Sequence, residues 1–335
     1  MQVTKNLDSV KMQAVILAAG KSTRTYPLTL TRPKPLLKVA NKTLLEHNLD
    51  NLKDFVDEVI IVVGYKKNMI KKFIGNKYKN IRIKYVEQKQ QLGTGNALSS
   101  VEKFIKNDFL SLHGDDIYSK EDFKNIMKHK YAILTKKADK PKLFGVILKK
   151  NNILVDLIEK PQRFISNLVN TGLYKLDKFF FSLLKGLKKS RRGEYELTDA
   201  IKNLAKNERV YCVTSEQWLP ISYHFDLLKA DQSIRKNKTI IGTNSKNYGN
   251  VKNSSIGNNC IIRGHVRNSV IMDKTIIDKN SVVKDSVIGE NVHFSGRILD
   301  SVVADNAKLE NVVVKSCKIW PGKAIRNKII EKDVT

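Results

Sequence analysis

The sequence has few cysteines, no long apolar run and no apolar leader. Its 335 residues include 3 cysteines, which lie far apart without metal-ligand spacing, so we expect neither a disulfide scaffold nor a zinc ribbon. The longest apolar stretches, 14–19 and 59–63, are far shorter than the roughly 20 residues of a membrane helix. Residues 1–8 contain no apolar signal core. We therefore expect a folded, cytoplasmic protein with no transmembrane segment and no membrane partner.

Acidic residues are also scarce. The chain has 33 Asp and Glu against 61 Lys and Arg, which gives a formal charge of +28. Such an excess raises the question of nucleic-acid binding, because clustered cations release counterions from phosphates. The lysines are spread along the whole chain, however, and no aromatic-interleaved RNA motif is present. Nucleic acid is therefore not the expected partner, whereas a small polyanionic substrate would suit this charge.

Residues 12–235 alternate apolar runs typical of strands with amphipathic helical stretches. Strands are predicted at 14–18, 59–63, 81–86 and 109–112, and helices at 44–52, 66–74 and 96–105. This alternation predicts an α/β fold, a Rossmann-like and mostly parallel sheet covered by helices. Polar segments follow Ala18, Val86 and Leu112. Because ligands of such folds gather at the carboxyl ends of the strands, these segments are the candidates for chemistry.

From Val251 the pattern changes to aliphatic residues at every sixth position. The series is Val270, Ile276, Val282, Ile288 and Phe294, with Asn, Asp, Gly and Ser between. This hexapeptide repeat resembles a left-handed parallel β-helix, in which each coil stacks its aliphatic residues on the next. We expect the α/β domain at 12–235, a linker at 236–250 and the β-helix at 251–330. At about 18 residues per coil, the last would hold roughly four coils.

The richest motif runs from Leu17 to Leu36. It places a glycine turn at Gly20 directly after the first predicted strand, where backbone N–H groups can approach phosphate oxygens. Arg24 and Lys34 add positive charge suited to a phosphoryl-type transition state. The string resembles the signature of sugar-1-phosphate nucleotidylyltransferases of the glucose-1-phosphate thymidylyltransferase and N-acetylglucosamine-1-phosphate uridylyltransferase type. Members usually have glycine where this chain has Ser22, a change small enough for the loop to survive.

The segment 87–97 would be the base loop of such an enzyme. Gln88 offers an amide donor and acceptor suited to a pyrimidine edge, and Gly93 lets the backbone reach the base. A plain capped helix is the alternative. The nucleotide-binding residues implied by the resemblance are Leu17, Ala19, Gly20, Gln88, Gly93 and Thr94.

Two further segments, 158–161 and 170–174, resemble the sugar side of the family site. The resemblance implies that Glu159 accepts hydrogen bonds from sugar hydroxyls and that Lys160 contacts the sugar phosphate; a surface ion pair between the two is the alternative. The other implied sugar-binding residues are Asn170, Thr171 and Gly172. The segment 193–199 resembles another part of the sugar pocket, but Thr198 or Asp199 could equally cap a helix at 200–206.

Asp115 resembles the carboxylate that holds Mg²⁺ against the triphosphate, and Asp116 is interpreted as a supporting or capping residue. Family members usually place a second metal-binding Asp two residues after the tryptophan, where this chain has Pro220. Proline has no ligating side chain. We expect Asp115, the triphosphate and water to hold the ion, with Asp226 at most an indirect partner. Its default role is a first-turn helix carboxylate.

The resemblance implies an Mg²⁺-dependent enzyme that joins UTP or dTTP to glucose-1-phosphate or N-acetylglucosamine-1-phosphate and releases pyrophosphate. Arg24, Lys34 and Lys160 would be its catalytic residues. Two alternatives stay open: a non-catalytic regulatory subunit of the same fold, and a bifunctional enzyme whose β-helix also transfers acetyl groups.

The β-helix is expected to assemble a homo-oligomer, since its flat faces and open end suit subunit contacts. A chain ending at Ser233 should then form a smaller assembly and keep some activity. His265 and His293 could be proposed as acetyl-transfer bases but are expected in turns. The remaining histidines considered, His47, His113 and His129, are expected to be structural.

Overall fold

The computed structural model describes residues 12–335, and contacts divide the chain into two compact units. We call them the sheet unit (12–19, 48–114 and 118–218) and the repeat unit (20–47, 115–117 and 219–335). The segment that contains Arg24 and Lys34 thus belongs, by its contacts, to the same unit as the C-terminal repeat. No helix in the described range is long and apolar enough to cross a membrane.

Between residues 12 and 235 the chain forms fourteen strands and seven α-helices. The strands are β1 (Met12–Ala18), β2 (Lys38–Val39), β3 (Lys42–Thr43), β4 (Val56–Val63), β5 (Lys77–Tyr78), β6 (Ile81–Glu87), β7 (Phe109–His113), β8 (Ile117–Tyr118), β9 (Tyr131–Lys137), β10 (Gly145–Lys150), β11 (Ile153–Glu159), β12 (Leu168–Leu176), β13 (Val210–Thr214) and β14 (Trp218–Leu219). The helices are α1 (Leu44–Leu52), α2 (Lys67–Ile74), α3 (Thr94–Ser99), α4 (Lys120–Ile126), α5 (Phe180–Lys185), α6 (Leu197–Leu204) and α7 (His224–Arg235).

The sheet unit is built on a ten-stranded sheet of order β10-β11-β13-β9-β12-β7-β1-β4-β6-β5. Its centre, β7-β1-β4-β6, is parallel, as the buried apolar runs predict. The sheet as a whole is mixed rather than mostly parallel, because β12 runs antiparallel to both β7 and β9, and β10 forms a hairpin with β11. Asn151 and Asn152 make the hairpin turn, with φ of 49° and 61°, a conformation that asparagine tolerates.

The parallel strands end level with one another. Leu17 pairs with His113, Ala18 with Val63, and Val63 in turn with Glu87. The carboxyl ends of β1, β4, β6 and β7 therefore form one edge of the sheet, as the polar segments after them predict.

One predicted helix is shorter than expected. The stretch 96–105 becomes α3, ending at Ser99, followed by a separate 3₁₀ turn at Glu102–Phe104. The hydroxyls of Ser99 and Ser100 donate to the carbonyls of Gly95 and Ala97, at 2.9 and 2.7 Å. Such local bonds compete with helix continuation.

The repeat unit contains sixteen short strands after α7. They are β15 (Ile240–Ile241), β16 (Lys246–Asn247), β17 (Asn250–Lys252), β18 (Ser255–Ile256), β19 (Ile261–Ile262), β20 (His265–Arg267), β21 (Val270–Ile271), β22 (Ile276–Ile277), β23 (Val282–Lys284), β24 (Val287–Ile288), β25 (His293–Leu299), β26 (Val302–Val303), β27 (Lys308–Lys315), β28 (Lys318–Ile319), β29 (Ala324–Arg326) and β30 (Ile329–Ile330).

These strands stack in parallel, which is consistent with a β-helix. One face, β15-β18-β21-β24-β26-β28, has six strands, so the stack is taller than the four coils expected. Equivalent residues of neighbouring coils are 15 to 17 positions apart, not 18. The segment 236–250, expected as a linker, contains β15 and β16, which pair with β18 and β19 as the first layer of the stack. The domain boundaries themselves stay a prediction.

The interior of the stack contains aliphatic side chains, among them Ile256, Ile271, Ile288, Val303 and Ile319. At one corner, buried serines form a ladder. The Ser254 hydroxyl accepts from the Ser269 N–H at 3.1 Å, and Ser269 in turn from Ser286 at 3.2 Å. Serine is small enough to fit inside the corner and supplies the hydrogen bonds that the turning backbone lacks.

The outward side of the six-stranded face is also buried. Val270, Val287 and Val302 alternate with the inward residues of the same strands and pack in a second apolar cluster. Its other members include Leu28, Leu37, Val39 and Leu44 from the N-terminal segment and Leu227 and Ala230 from α7. A chain that ended at Ser233 would expose this cluster to water. The expectation that such a truncation keeps activity is therefore not supported.

Candidate active site

The loop after Gly20 is shaped by Ser22. Ser22 has φ 54°, in the left-handed region where the family usually has glycine. Its carbonyl accepts hydrogen bonds from the hydroxyls of Thr25 and Thr29, at 2.8 and 2.9 Å. These bonds hold a serine in a conformation that costs an L-residue roughly 1–2 kcal/mol.

Arg24, in the 3₁₀ turn that follows, lies over the ring of Tyr223, 5.7 Å from its centroid. The Tyr223 ring stacks on Phe225 at 5.3 Å. Stacking on an aromatic face restrains a guanidinium while leaving its N–H donors available for an anion.

Lys34 and Asp115 form a close ion pair, with Nζ 2.6 Å from Oδ2. The lysine side chain is 4% exposed and the carboxylate 35% exposed. The pair therefore has a buried cationic end and a carboxylate end open to solvent. A phosphate would be attracted to the Lys34 ammonium, and the cation that accompanies the phosphate would be attracted to the Asp115 carboxylate.

The turn at Asp115 also contacts the segment that departs from the family pattern. Asp116 Oδ1 accepts from the N–H of Ile221 at 3.1 Å, so Pro220 lies beside this turn without a ligand to offer. Asp226 Oδ2 accepts from the N–H groups of Ser222 and Tyr223, at 2.8 and 2.7 Å, as the capping carboxylate of α7. Its geometry matches the helix-terminus role predicted for it.

A magnesium ion would fit this site with one protein ligand. Among residues 12–335, no group of three His, Cys, Asp or Glu could hold a metal. Asp115 supplies a hard carboxylate whose side chain is 35% exposed, and Asp226 Oδ2 accepts two capping bonds. Mg²⁺ commonly keeps several waters and takes one or two carboxylates together with substrate phosphates, which this donor set allows.

In the sheet unit, the predicted nucleotide-binding residues lie at the ends of β1 and β6. The Leu17 side chain is in the core, and its carbonyl accepts from Gly114 N–H at 2.9 Å. The Ala19 carbonyl accepts from the N–H of Tyr65 and the side chain of Gln91, at 3.0 and 2.8 Å. Gln91 was not among the predicted residues. Its contact with Ala19 ties the base loop to the end of the first strand.

Gln88 is buried, and its amide nitrogen already donates within the loop. Its partners are the Gly93 carbonyl at 3.1 Å and Asn96 Oδ1 at 2.9 Å. The Gln88 amide nitrogen, which was predicted to donate to a base, therefore donates to groups of the loop instead. Both bonds use the amide nitrogen, so the Gln88 amide oxygen is the atom that could accept from a pyrimidine N–H.

The base loop packs against the segment before α6. Gly93 has φ 105°, and a Cβ there would lie 2.7 Å from the carbonyl oxygen of Tyr195. Thr94 Oγ1 accepts from the N–H of Leu197 at 3.1 Å. Helix α6 therefore begins at Leu197, earlier than expected, with Glu196 in the N-cap position and the cap supplied by Thr94 rather than by Thr198 or Asp199.

Asn170, Thr171 and Gly172 form a bulge in β12, where its register with β9 shifts. Asn170 Oδ1 accepts from Gly172 N–H at 2.9 Å, and its nitrogen donates to the Tyr174 hydroxyl at 2.6 Å. Gly172 has φ 84°, and a Cβ there would lie 2.6 Å from Cε1 of His113. The bulge and the His113 ring therefore require glycine at this position.

Glu159 and Lys160 are neighbours in an acidic cluster that the sequence only partly indicated. Glu159 Oε1 lies 3.7 Å from Lys160 Nζ and 3.6 Å from Arg192. Arg192 also contacts Glu196 at 3.2 Å. Burial, and next the charge of Glu159, raises the pKa of Glu196. Arg192 and Glu196 were not singled out, although both adjoin the segment 193–199.

His113 lies against Gly172, as described above, and most of the other histidines considered have partners of their own. His47 Nε2 bonds to the Val39 carbonyl at 2.8 Å, and His129 stacks on Tyr211. His265 and His293 are exposed at the starts of β20 and β25, on strands rather than in the turns expected. His293 pairs with Asp278 at 2.9 Å.

Comparison with known proteins gives two family models that together span residues 13–335. The model described as nucleotidyl transferase matches residues 13–237, and the model described as GMPPB C-terminal domain matches residues 233–335.

Relatives are similar over two thirds to three quarters of the chain. The Bifunctional protein GlmU of Methanococcus vannielii is 39% identical over 260 residues, which cover 75% of this chain and 61% of that protein. The chain thus spans about 60% of the length of such relatives. The UTP--glucose-1-phosphate uridylyltransferase AglF of Haloferax volcanii is 34% identical over 240 residues, which cover 68% of this chain and 98% of that protein.

A solved structure agrees. The crystal structure of a Bacillus anthracis protein assigned as a glucose-1-phosphate thymidylyltransferase, in complex with a sucrose, has a TM-score of 0.61 and 29% identity. The structural match covers 67% of this chain and 95% of the Bacillus anthracis chain. Together with the model match over residues 13–237, these likenesses show that the chain belongs to the nucleotidyl transferase family.

Proposed function

We propose that this protein is a sugar-1-phosphate nucleotidylyltransferase, which joins a pyrimidine nucleoside triphosphate to a sugar-1-phosphate and releases pyrophosphate. The observation that carries the proposal is the ion pair of the buried Lys34 with the partly exposed Asp115; Lys34 lies on the loop that also holds Arg24 against Tyr223. A triphosphate with its metal ion needs cations for its phosphates and a carboxylate for the metal. Arg24 and Lys34 supply the cations, and the partly exposed Asp115 supplies the carboxylate.

In the proposed reaction, an oxygen of the sugar phosphate attacks the α-phosphorus in line. The bond from the α-phosphorus to the bridging oxygen breaks, and pyrophosphate leaves with the electron pair. No side-chain nucleophile is required. Arg24 and Lys34 would bind the triphosphate and stabilise the charge that develops on it, and Lys160 would orient the attacking phosphate.

Mg²⁺ would be held by Asp115 and the triphosphate, and when bound it would neutralise charge on the phosphate oxygens. Glu159, Asn170 and the backbone at Thr171 and Gly172 would bind the sugar. Arg192 and Glu196 join this set because both contact the Glu159 cluster.

UTP is the first choice of nucleotide and dTTP the second. The Gln88 oxygen and the tight loop at Gly93 support a pyrimidine, and the Haloferax relative is named for UTP and glucose-1-phosphate. Steady-state pyrophosphate release with ATP, CTP, GTP, UTP and dTTP, each against glucose-1-phosphate and N-acetylglucosamine-1-phosphate, tests this. We expect UTP to give the highest kcat/KM. A clear preference for GTP would place the protein in a guanylyltransferase group, and no release with any pair would favour a regulatory subunit.

The stacked strands are proposed to form a left-handed β-helix of hexapeptide-like repeats that assembles a homo-oligomer and does not transfer acetyl groups. In support, His265 and His293 are exposed and the latter is already paired with Asp278. Acetyl-CoA consumption with amino-sugar phosphates tests the second activity. Light scattering of the full chain tests assembly, and a monomer mass would contradict it.

A further inference from the structure

The N-terminal loop is held to the stacked repeat by ion pairs, of which Arg32–Asp305 is buried. Arg32 contacts two carboxylates: Nη1 lies 2.5 Å from Glu290 Oε1, and Nη2 lies 2.5 Å from Asp305 Oδ2. Thr31 Oγ1 donates to the same Asp305 oxygen at 2.5 Å. Further along, Lys38 Nζ lies 2.5 Å from Asp273 Oδ2. The loop is therefore fixed on both sides of Lys34.

The carboxylates that hold these cations are themselves fixed by the repeat. Asp305 Oδ1 accepts from the N–H of Glu290 at 2.8 Å, and Asp273 Oδ1 accepts from that of Asn258 at 2.9 Å. One oxygen of each thus bonds to the neighbouring coil and the other to the loop. A Cβ at Gly257 or Gly289 would lie 2.5 Å from the coil-facing oxygen, so glycine leaves room for each carboxylate.

Burial distinguishes the Arg32–Asp305 pair from the many solvated ion pairs on this basic chain. The Arg32 and Asp305 side chains are 9% and 7% exposed. Arg326 and Glu310, on the outer surface of the same repeat, are 74% and 52% exposed. Burial alone acts to lower the pKa of Arg32, but Asp305 and Glu290 outweigh it and the pKa is raised. The partner charges therefore stabilise the buried cation.

From this arrangement, and on the basis of the proposed function, we propose that the C-terminal repeat positions the triphosphate-binding loop. Asp305, Glu290 and Asp273 are positioning residues for nucleotidyl transfer, acting through Arg32 and Lys38. Lys34 is two residues from Arg32 and four from Lys38, so a loop released at either point would let its ammonium move away from Asp115. Because small displacements of such groups are costly for catalysis, the contacts between the repeat and this loop should affect nucleotidyl transfer.

The variant Asp305→Asn tests the proposal, with Glu310→Gln as the matched control. Asparagine keeps an oxygen for the Glu290 N–H and removes the charge that holds Arg32. We expect the KM for UTP to rise on the order of tenfold, while the KM for the sugar phosphate changes less than about twofold. The control should leave both unchanged. A merely structural loss would lower the active fraction, and so kcat, with both KM values unaltered.

Hydrogen exchange provides a readout that does not need turnover. In Asp305→Asn, the amides of residues 23–37 should exchange at least about tenfold faster than in the wild type, while those of 81–87 keep their rates. Unchanged exchange in 23–37 would overturn the proposal, as would faster exchange with unchanged KM for UTP. If the wild type itself released no pyrophosphate, the proposed function would fail. Positioning of the loop would still be supported if UTP slowed amide exchange of residues 23–37 in the wild type, and if Asp305→Asn exchanged faster there and lost that slowing.

Discussion

Replacing Gly172 with alanine should damage both stability and the sugar side of the site. Gly172 has φ 84°, and an added Cβ would lie 2.6 Å from Cε1 and 2.7 Å from Cγ of His113. The left-handed conformation costs an L-residue about 1–2 kcal/mol, and overpacking a buried contact adds about 1–3 kcal/mol. The free energy of unfolding should therefore fall by roughly 2–5 kcal/mol if the two terms add.

The two terms can be separated. In a His113→Ala background, Gly172→Ala loses the ring contact and keeps the backbone cost, so it should then cost only about 1–2 kcal/mol. Gly186→Ala is the control, because a Cβ added at Gly186 would lie 3.9 Å from the Leu183 carbonyl oxygen, an ordinary contact, and the φ of Gly186 is −89°. Chemical denaturation of these variants and their parent proteins gives the free energies. Equal costs of Gly172→Ala in both backgrounds would refute the role given to His113, and a cost below about 0.5 kcal/mol would refute the account of the bulge.

Three further predictions concern the site. Asp115→Asn should abolish most pyrophosphate release. Asp226→Asn should mainly lower the free energy of unfolding, by about 0.5–2 kcal/mol of capping energy, with little change in the Mg²⁺ requirement; equal losses of activity in two folded variants would contradict this. Ser22→Gly removes a left-handed serine and should raise stability by about 0.5–1 kcal/mol, measured by denaturant unfolding. The pKa of Glu196 is raised in the folded state, so the folded state loses stability as the pH rises from the ordinary pKa of a glutamate to the raised one. The variant Glu196→Gln should therefore be more stable than the wild type at neutral pH and lose this advantage in acid. Melting curves of both proteins across pH 4 to about 8 test this difference.

Local patterns were sufficient to predict the strands and the candidate segments. The apolar run at Val59–Val63 predicts a buried central strand, and the glycine turn after Ala18 predicts a loop at the carboxyl edge, because both signals depend on neighbours in the chain. The antiparallel course of β12 was missed, since no short-range pattern states which strand will lie beside it.

The attachment of the loop to the repeat was also missed, for a related reason. Arg32 and Asp305 are 273 residues apart, and from the sequence alone each would be predicted to be a solvated surface charge. One Asp305 oxygen accepts from the neighbouring coil and the other pairs with Arg32, an arrangement that follows only from the stacking of the coils. The length of a coil likewise depends on one of its corners: two residues join β19 to β20 in a coil of 15 residues, and four join β22 to β23 in a coil of 17.

The central claim is that the nucleotidyl group, and not a terminal phosphate, is transferred to the sugar phosphate. UTP labelled with ³²P at the α-phosphate, incubated with Mg²⁺ and either glucose-1-phosphate or N-acetylglucosamine-1-phosphate, tests it directly. The account predicts that the label appears in a UDP-sugar with release of unlabelled pyrophosphate, and that Asp115→Asn forms almost none of this product. Label that stays in UTP or UDP, or that appears in UMP without any UDP-sugar, would contradict it.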